Sequence, residues 1–485
     1  MTEAPSASVQ APPGFDQGLV AVVKKDCPTC QMVEPVLAEV RRHRSVLVVT
    51  QDDPAFPADG SPVHDADLTL SHRLGIEIVP TLLTREGGST SATAIGWNRE
   101  QWRDVTGIGE LGADLPPSRP GCGALNVEPP HVERLAALFA QGGARRVELG
   151  DQEDDVEACF ARGWTDGLPV VPPTPERLER MLAGTRRDRA EVLGLVAPDY
   201  GECTVEKVAV NAVMAGCRPE YLPVVLAAVE AALTEEFNWH GLAATTYFAG
   251  PVVVVNGPVT SALDMNSKMN VLGQGNRANT TIGRALQLVL RNVGGARPGE
   301  VDRATLGNPG KLSFCFPERE ADSPWTSLAT ERGVPEGESA VTLFAGEGPR
   351  GVVDQLSREP ESLARSLASA LLAVAHHKLV VGFDAMLVVG FEHGNVFRRA
   401  GWDKARLRQA LDAALVRSGA DLVRGAGDIA EGLPEKMADA QVPKFRPGGL
   451  LLVHAGGNAG LFSAVIGGWV SGPVGSQPVT RVVGD

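Results

Sequence analysis

Cys27 and Cys30, in the stretch Asp26-Cys27-Pro28-Thr29-Cys30, are the residues whose type and spacing most directly promise chemistry. An apolar run, Leu19 to Val23, precedes them and is broken by Lys24 and Lys25. After them Val33, Val36, Leu37 and Val40 recur at helical spacing, with Glu34, Glu39 and Arg41 to Arg44 on the other side. The pair therefore falls at a strand-to-helix junction, with Cys27 in the first turn. Unpaired N–H groups and the macrodipole favour a thiolate there, and such positions lower a thiol pKa from about 8.5 to about 3.5–7.5. Cys30 lies one turn further on, near enough to close a small disulfide. The chemistry expected is a dithiol switch, a redox-active disulfide. The alternative, a structural zinc site, needs four ligands; the sequence has no second C-x-x-C to complete one, and His43, His64 and His72 are scattered.

The elements that would position this pair lie next along the chain. Ser45 to Thr50 is a second apolar run and Ala66 to Leu74 a short helical stretch. Ile78 to Leu83 contains Val79-Pro80-Thr81, and Arg99 to Val105 is a closing helix. A C-x-x-C on a βαβ pattern reads as a redox motif. With the Val79-Pro80-Thr81 loop at the expected separation, residues 15–107 resemble the thioredoxin superfamily. The resemblance implies that Cys27 is the attacking thiol, Cys30 the resolving thiol and Pro80 the substrate-side wall of a cis-proline loop facing the dithiol. Asp26 stands where many thioredoxins carry tryptophan, and Cys-Pro-Thr-Cys replaces Cys-Gly-Pro-Cys.

A chain of 485 residues is too long for one ordinary core. Its net charge of −14 argues against nucleic acid as a partner, which clustered Lys and Arg would bind. No stretch reaches the roughly 18 apolar residues of a membrane span. Residues 1–14 lack the basic and apolar regions of a secretory signal and read as a disordered tail. Seven cysteines, an odd number thinly spread, do not make a secreted disulfide framework, so a cytoplasmic protein is expected.

Residues 108–130 are rich in Gly and Pro and read as a linker. Within it Cys122 is either an inconsequential surface thiol or a relay able to visit Cys27 and a distant site. Residues 131–485 alternate apolar strands with helices, so the fold class is α/β: a thioredoxin-like domain joined by the linker to a large α/β domain. A helix and turn are expected over 131–150, and Arg162 to Thr174 reads as a rigid loop. Cys203 and Cys217 bracket a helix from Thr204 to Ala215. Too far apart to bond each other if that helix is intact, each needs another partner or works alone. Cys217, beside Arg218 and before the next helix, is expected to have a lowered pKa and to be the working thiol of the large domain, with Cys122 or Cys203 as relay.

Asn276, Arg277 and Asn279 lie in an amide-rich loop opening a helix, where an anionic substrate group could be held. Residues 380–485 contain an echo that could mark a duplicated half. Ala385 to Val389 leads to His393 and Asn395, and a helix from Lys404 comes after a loop. Leu450 to Val453 leads to His454 and Asn458, succeeded by a helix-like stretch, Gly460 to Ile466.

Together these predict a thiol-disulfide redox enzyme whose dithiol supports thiol-dependent chemistry on a small polar substrate, positioned by Arg277, His240, His393 and His454. Thioredoxin reductase or another thiol reductant would regenerate it, and the chain could form a homo-oligomer. A second reading is a metal-assisted lyase or hydrolase with His240, His393 and His454 as ligands. A third is a binding protein whose module acts on partner proteins.

Overall fold

A computed structural model describes residues 12–58, 60–128, 154–484 and a few positions between. The expected tail falls almost wholly outside the described residues, as does most of the helix and turn expected over 131–150. The chain forms two compact units, dividing near residue 153.

In the first unit a five-stranded sheet is built around Gly18–Val23. This strand runs parallel to Val46–Thr50, pairing Leu19 with Val46 and Val23 with Thr50. It runs antiparallel to Thr81–Glu86, pairing Ala21 with Leu82. Val63–His64 and Ser89–Ile95 close the two edges. The helix Pro28–His43 connects the two parallel strands, burying Val33, Val36, Leu37 and Val40 as their spacing requires. A second helix, Arg99–Thr106, is capped by the Asn98 side chain and stopped by Gly107 at φ 71°.

The expected linker differs most from its reading. Residues 108–128 pack onto this first unit instead of bridging: Ser118–Arg119 pairs with Trp97–Asn98, and Cys122–Gly123 with Ile78–Val79. Leu111 and Ala124 are fully buried. Buried Asn126 accepts from the Gln51 side chain at 2.8 Å and donates to Ile76 O at 2.6 Å. The glycines there serve close approach. A Cβ on Gly121 would stand 2.4 Å from Ile78 Cγ2 and 2.5 Å from Val79 O.

The second unit is mixed α/β, built on an eight-stranded sheet. One half carries Gly250–Asn256, flanked by Cys315–Pro317 and Ala340–Gly346, with Val479–Val482 outermost. The other half carries Phe462–Val470 between Arg350–Val353 and Phe383–Val389, with Leu450–His454 beyond. The ladder joins the halves at one residue pair, Gly346 with Gly468, and the Glu347 N–H adds a bond to Gly467 O at 2.9 Å. Strand alternation divides the core. Val253 and Val255 pack with the helices Val205–Ala215, Leu222–Ala232 and Arg277–Asn292, whereas Val252 and Val254 pack with Phe316, Phe344 and Met386. On the far half Leu387 and Val389 pack with Pro360–Leu371 and Lys404–Ala414.

The two echoed runs are neighbouring parallel strands, with Val389 opposite His454. Their continuations differ from expectation. Phe391 opens a helix at once, Phe391–Arg399, and the stretch read as helix-like at 460–466 belongs to the strand Phe462–Val470. There Val465 and Ile466 satisfy sheet pairing, and a β-branched run of that length does not distinguish helix from strand by its period.

Candidate active site: a buried dithiol with a third sulfur

Cys27 is the N-cap of Pro28–His43, at φ −130° and ψ 114°, and its sulfur accepts the Cys30 N–H at 3.4 Å. Pro28 occupies the first helical position, where its missing N–H costs nothing. No carboxylate stands in that first turn. The preceding turn is held by Asp52, whose carboxylate accepts the N–H groups of Lys25 at 2.7 Å and Asp26 at 2.9 Å. Backbone bonds from Asp26, Lys25 and Asp53 outweigh partial burial and keep the Asp52 carboxyl below its ordinary range.

Across from the helix start lies the Val79–Pro80 bond, which is cis. Val79 O accepts from the Cys27 thiol at 3.4 Å. Val79 is also the residue opposite Cys122 in the short antiparallel ladder. The Thr29 hydroxyl donates to Pro120 O at 2.7 Å, fastening the same segment to the helix. Cys122 is thereby held against Val79, whose carbonyl the Cys27 thiol touches, and the two thiols influence each other's ionisation. The expectation that Cys122 sits in a free linker is corrected: ladder, hydroxyl and the Gly121 contact fix it beside the dithiol.

The three sulfurs have different characters. Burial opposes charge on Cys27, but hydrogen bonds from the Cys122 thiol, from Cys30 and from the Thr29 backbone outweigh it and hold the Cys27 thiol below its ordinary value. Desolvation and the nearby Cys27 sulfur push Cys30 far upward. Cys122 is raised chiefly by its bond to Cys27, then by burial, while the charge of Lys24 acts the other way. Cys27 and Cys30 expose none of their surface, whereas Cys122 is partly exposed. All seven thiols are free.

The thiols of the second unit do not share this character. Cys217 comes directly after Gly216, the left-handed cap of Val205–Ala215, and its N–H bonds back to Ala212 O at 2.9 Å. It thus stands behind the negative end of one helix, buried in the largely apolar core with Cys203 and Cys315. Desolvation pushes Cys217 up to about 12, against the help of Thr281 and Arg277, and Cys203 likewise to about 12. The lowered pKa expected for Cys217 is therefore corrected, because burial outweighs any helix start or neighbouring arginine.

The amide-rich loop spends its groups on itself. Asn276 caps Arg277–Asn292 and donates to Asp264 O at 2.8 Å. Buried Asn279 exchanges two bonds with the Asn266 backbone, and Arg277 donates to Gly216 O at 2.9 Å. His240 is exposed on Trp239–Ala244. His393 is buried, 2.7 Å from the Ser463 hydroxyl and 3.1 Å from Asp354 O. His454 is buried with Nδ1 3.0 Å from Arg319 O, and its Nε2 has no hydrogen-bond partner among the described residues. Arg319 also takes Asn458 Oδ1 at 2.7 Å, and the Glu392 carboxylate accepts the Gly460 N–H at 2.8 Å. The backbone at Gly460 is thus satisfied by a carboxylate of the same chain. Among the described residues no group of three or more His, Cys, Asp or Glu side chains is arranged to hold a metal ion. This removes His240, His393 and His454 as a joint ligand set.

A cleft of about 560 Å³ opens in the second unit beside Gln287, Arg291, Asp302 and Lys311. None of Asn276, Arg277, Asn279, His240, His393, His454 and Asn458 lines it. Gln287 Nε2 and Arg291 Nε are buried there without a hydrogen-bond partner among the described residues, whereas Asp302 and Lys311 pair with each other at 2.6 Å. Two donors lacking acceptors suit an oxygen-bearing guest. The signal was present as the spacing Arg284, Gln287, Arg291 along one helix face, but Asp166 takes Arg284 in a two-pronged bond and only the fold tells them apart.

No helix among the described residues is long and apolar enough to cross a membrane. No protein-family model matches the chain, and no curated protein matches it.

Proposed function

We propose that the first unit is a thioredoxin-like thiol–disulfide exchange module. Cys27 is the nucleophilic sulfur and Cys30 closes the disulfide. The observation that carries this reading is the Cys27 sulfur itself, placed at a helix N-cap, accepting the Cys30 N–H and set beside the segment that carries a second thiol. Each of those contacts stabilises a thiolate more than a thiol. Val79 and Pro80 form the wall against that sulfur, and a thiol reductant such as thioredoxin reductase restores the pair.

For the second unit, the small polar substrate of this reading belongs in the cleft of Gln287 and Arg291. Cys217 is not assigned the working role there, since a desolvated neutral thiol is a poor nucleophile.

The test is equilibration of the full chain in glutathione buffers, then peptide mass mapping. Cys27 and Cys30 are expected to oxidise together as one two-electron couple, somewhere in the roughly −270 to −120 mV spanned by dithiol exchange proteins. Cys27 and Cys30 both remaining thiols across that whole range would remove the reading.

A further inference from the structure

We propose that Cys122 is the sulfur through which outside disulfides reach the buried pair, so that electrons from Cys27 and Cys30 leave the protein by way of Cys122. The inference rests on the exchange chemistry proposed above for Cys27 and Cys30, and it assigns the route.

Neither Cys27 nor Cys30 offers surface to solvent, while Cys122 does. A disulfide in solution cannot meet a sulfur it cannot touch, but it can meet the sulfur seated beside it, across the same Val79 peptide. That neighbour is held in place. Cys122 pairs with Val79, the Ala124 N–H bonds Glu77 O at 2.8 Å, and Thr29 bonds Pro120 O at 2.7 Å. Gly121 lets the segment lie closer than any side chain would permit. The segment that covers Cys27 is therefore the segment that presents a thiol outward. Both sulfurs are placed at Val79, Cys27 by its bond to Val79 O and Cys122 by the ladder, and the ionisation of each depends on the other, so negative charge that falls on Cys122 is on the accessible sulfur.

The steps balance. Cys122 thiolate attacks a disulfide R–S–S–R′, forming Cys122–S–S–R and releasing R′–S⁻, which takes a proton. Cys27 gives up its proton and attacks Cys122 Sγ, forming the Cys27–Cys122 disulfide and releasing R–S⁻, which is protonated in turn. Cys30 loses its proton and attacks Cys27 Sγ, forming Cys27–Cys30 and returning Cys122 as thiolate, which that proton restores to the thiol. Two protein thiols are oxidised by two electrons, and one outside disulfide becomes two thiols. In the reverse direction the same route oxidises an outside dithiol.

Oxidised glutathione is the probe, applied to the reduced full-length chain with peptide mapping under non-reducing conditions. In the double variant Cys27→Ser/Cys30→Ser, glutathione is expected on Cys122. In Cys30→Ser, a Cys27–Cys122 disulfide free of glutathione is expected. In Cys122→Ser, formation of Cys27–Cys30 should slow by about tenfold or more, since a tethered sulfur acts at millimolar or higher effective concentration. The serine hydroxyl can still donate to the Cys27 sulfur, so that loss reports the route and not the acidity. Wild-type oxidation rates in Cys122→Ser, or glutathione retained on Cys27 in Cys30→Ser, would overturn the proposal. Should Cys122→Ser fold poorly, glutathione missing from Cys122 in the double variant overturns it equally. If no form of the chain makes Cys27–Cys30 even with diamide, the exchange reading itself falls.

Discussion

Substituting Gly121 by alanine isolates the close approach on which the three-sulfur arrangement depends. The added Cβ would lie 2.4 Å from Ile78 Cγ2, 2.5 Å from Val79 O and 3.1 Å from Val79 C. A side-chain methyl can turn away, but a carbonyl in a ladder cannot, so the strand 122–123 must back off from 78–79. Overpacking of this kind costs about 1–3 kcal/mol. Because the strain is confined to a short ladder, it should emerge as local opening, with amide exchange at 77–79 and 122–124 faster by roughly 5- to 150-fold. Gly123→Ala is the internal control: it lies in the same strand, and its Cβ would meet nothing within 4 Å. Hydrogen exchange with mass spectrometry on both variants reads the difference. Equal exchange in Gly121→Ala and Gly123→Ala, or no change in either, would refute the argument from packing. A lifted segment also uncovers Cys27, so Gly121→Ala should bring direct modification of Cys27 by bulky thiol reagents.

Two other outcomes arise from buried charge. The thiolate of Cys27, tracked by its ultraviolet absorbance, should form below the ordinary thiol range, and Cys122→Ala should move it upward by removing a donor. Because the folded pKa lies below the unfolded value of about 8.5, Cys27 contributes stability that is fully present above that value. It is lost as pH falls through the folded pKa, and Cys27→Ala should lack this dependence. In the second unit, burial raises the Glu318 carboxyl while Lys404 at 3.8 Å opposes the rise. Lys404→Met should cost about 3–5 kcal/mol by leaving Glu318 buried without a cation. Glu318→Gln/Lys404→Met should recover much of it in urea unfolding. Since a raised carboxyl pKa penalises the folded state as pH climbs through it, the Lys404→Met deficit should shrink in acid.

The first unit was legible where local rules are strong. The Cys27 N-cap, the apolar stripe Val33 to Val40 and the strands beside them each derive from period and cap chemistry. The segment after Thr106 was misread because Gly and Pro signal flexibility and close packing alike, and only a partner strand decides between them. Cys217 shows a related failure. Its neighbours in sequence, Arg218 and the next helix, were visible, but its neighbours in space were the buried core, and desolvation comes from the latter. The strand Phe462–Val470 was missed because a short apolar run fits either period. Asn276 and Asn279 had a legible density of amides, yet their partners were backbone atoms of their own loop, which composition does not reveal.

Gly346 opposite Gly468 is the ladder position that stitches the two panels of the large sheet together. At Gly346 a side chain would press on Ile466 and Val252, and at Gly468 on the Asp384 carbonyl. Each panel has its own helical backing on one face, but on the other Val252, Val254 and Phe344 share a core with Met386, Val453 and Ile466, so a disturbance at the stitch reaches both. A methyl group added at the stitch is therefore a wedge that the common core, and not one panel alone, must absorb.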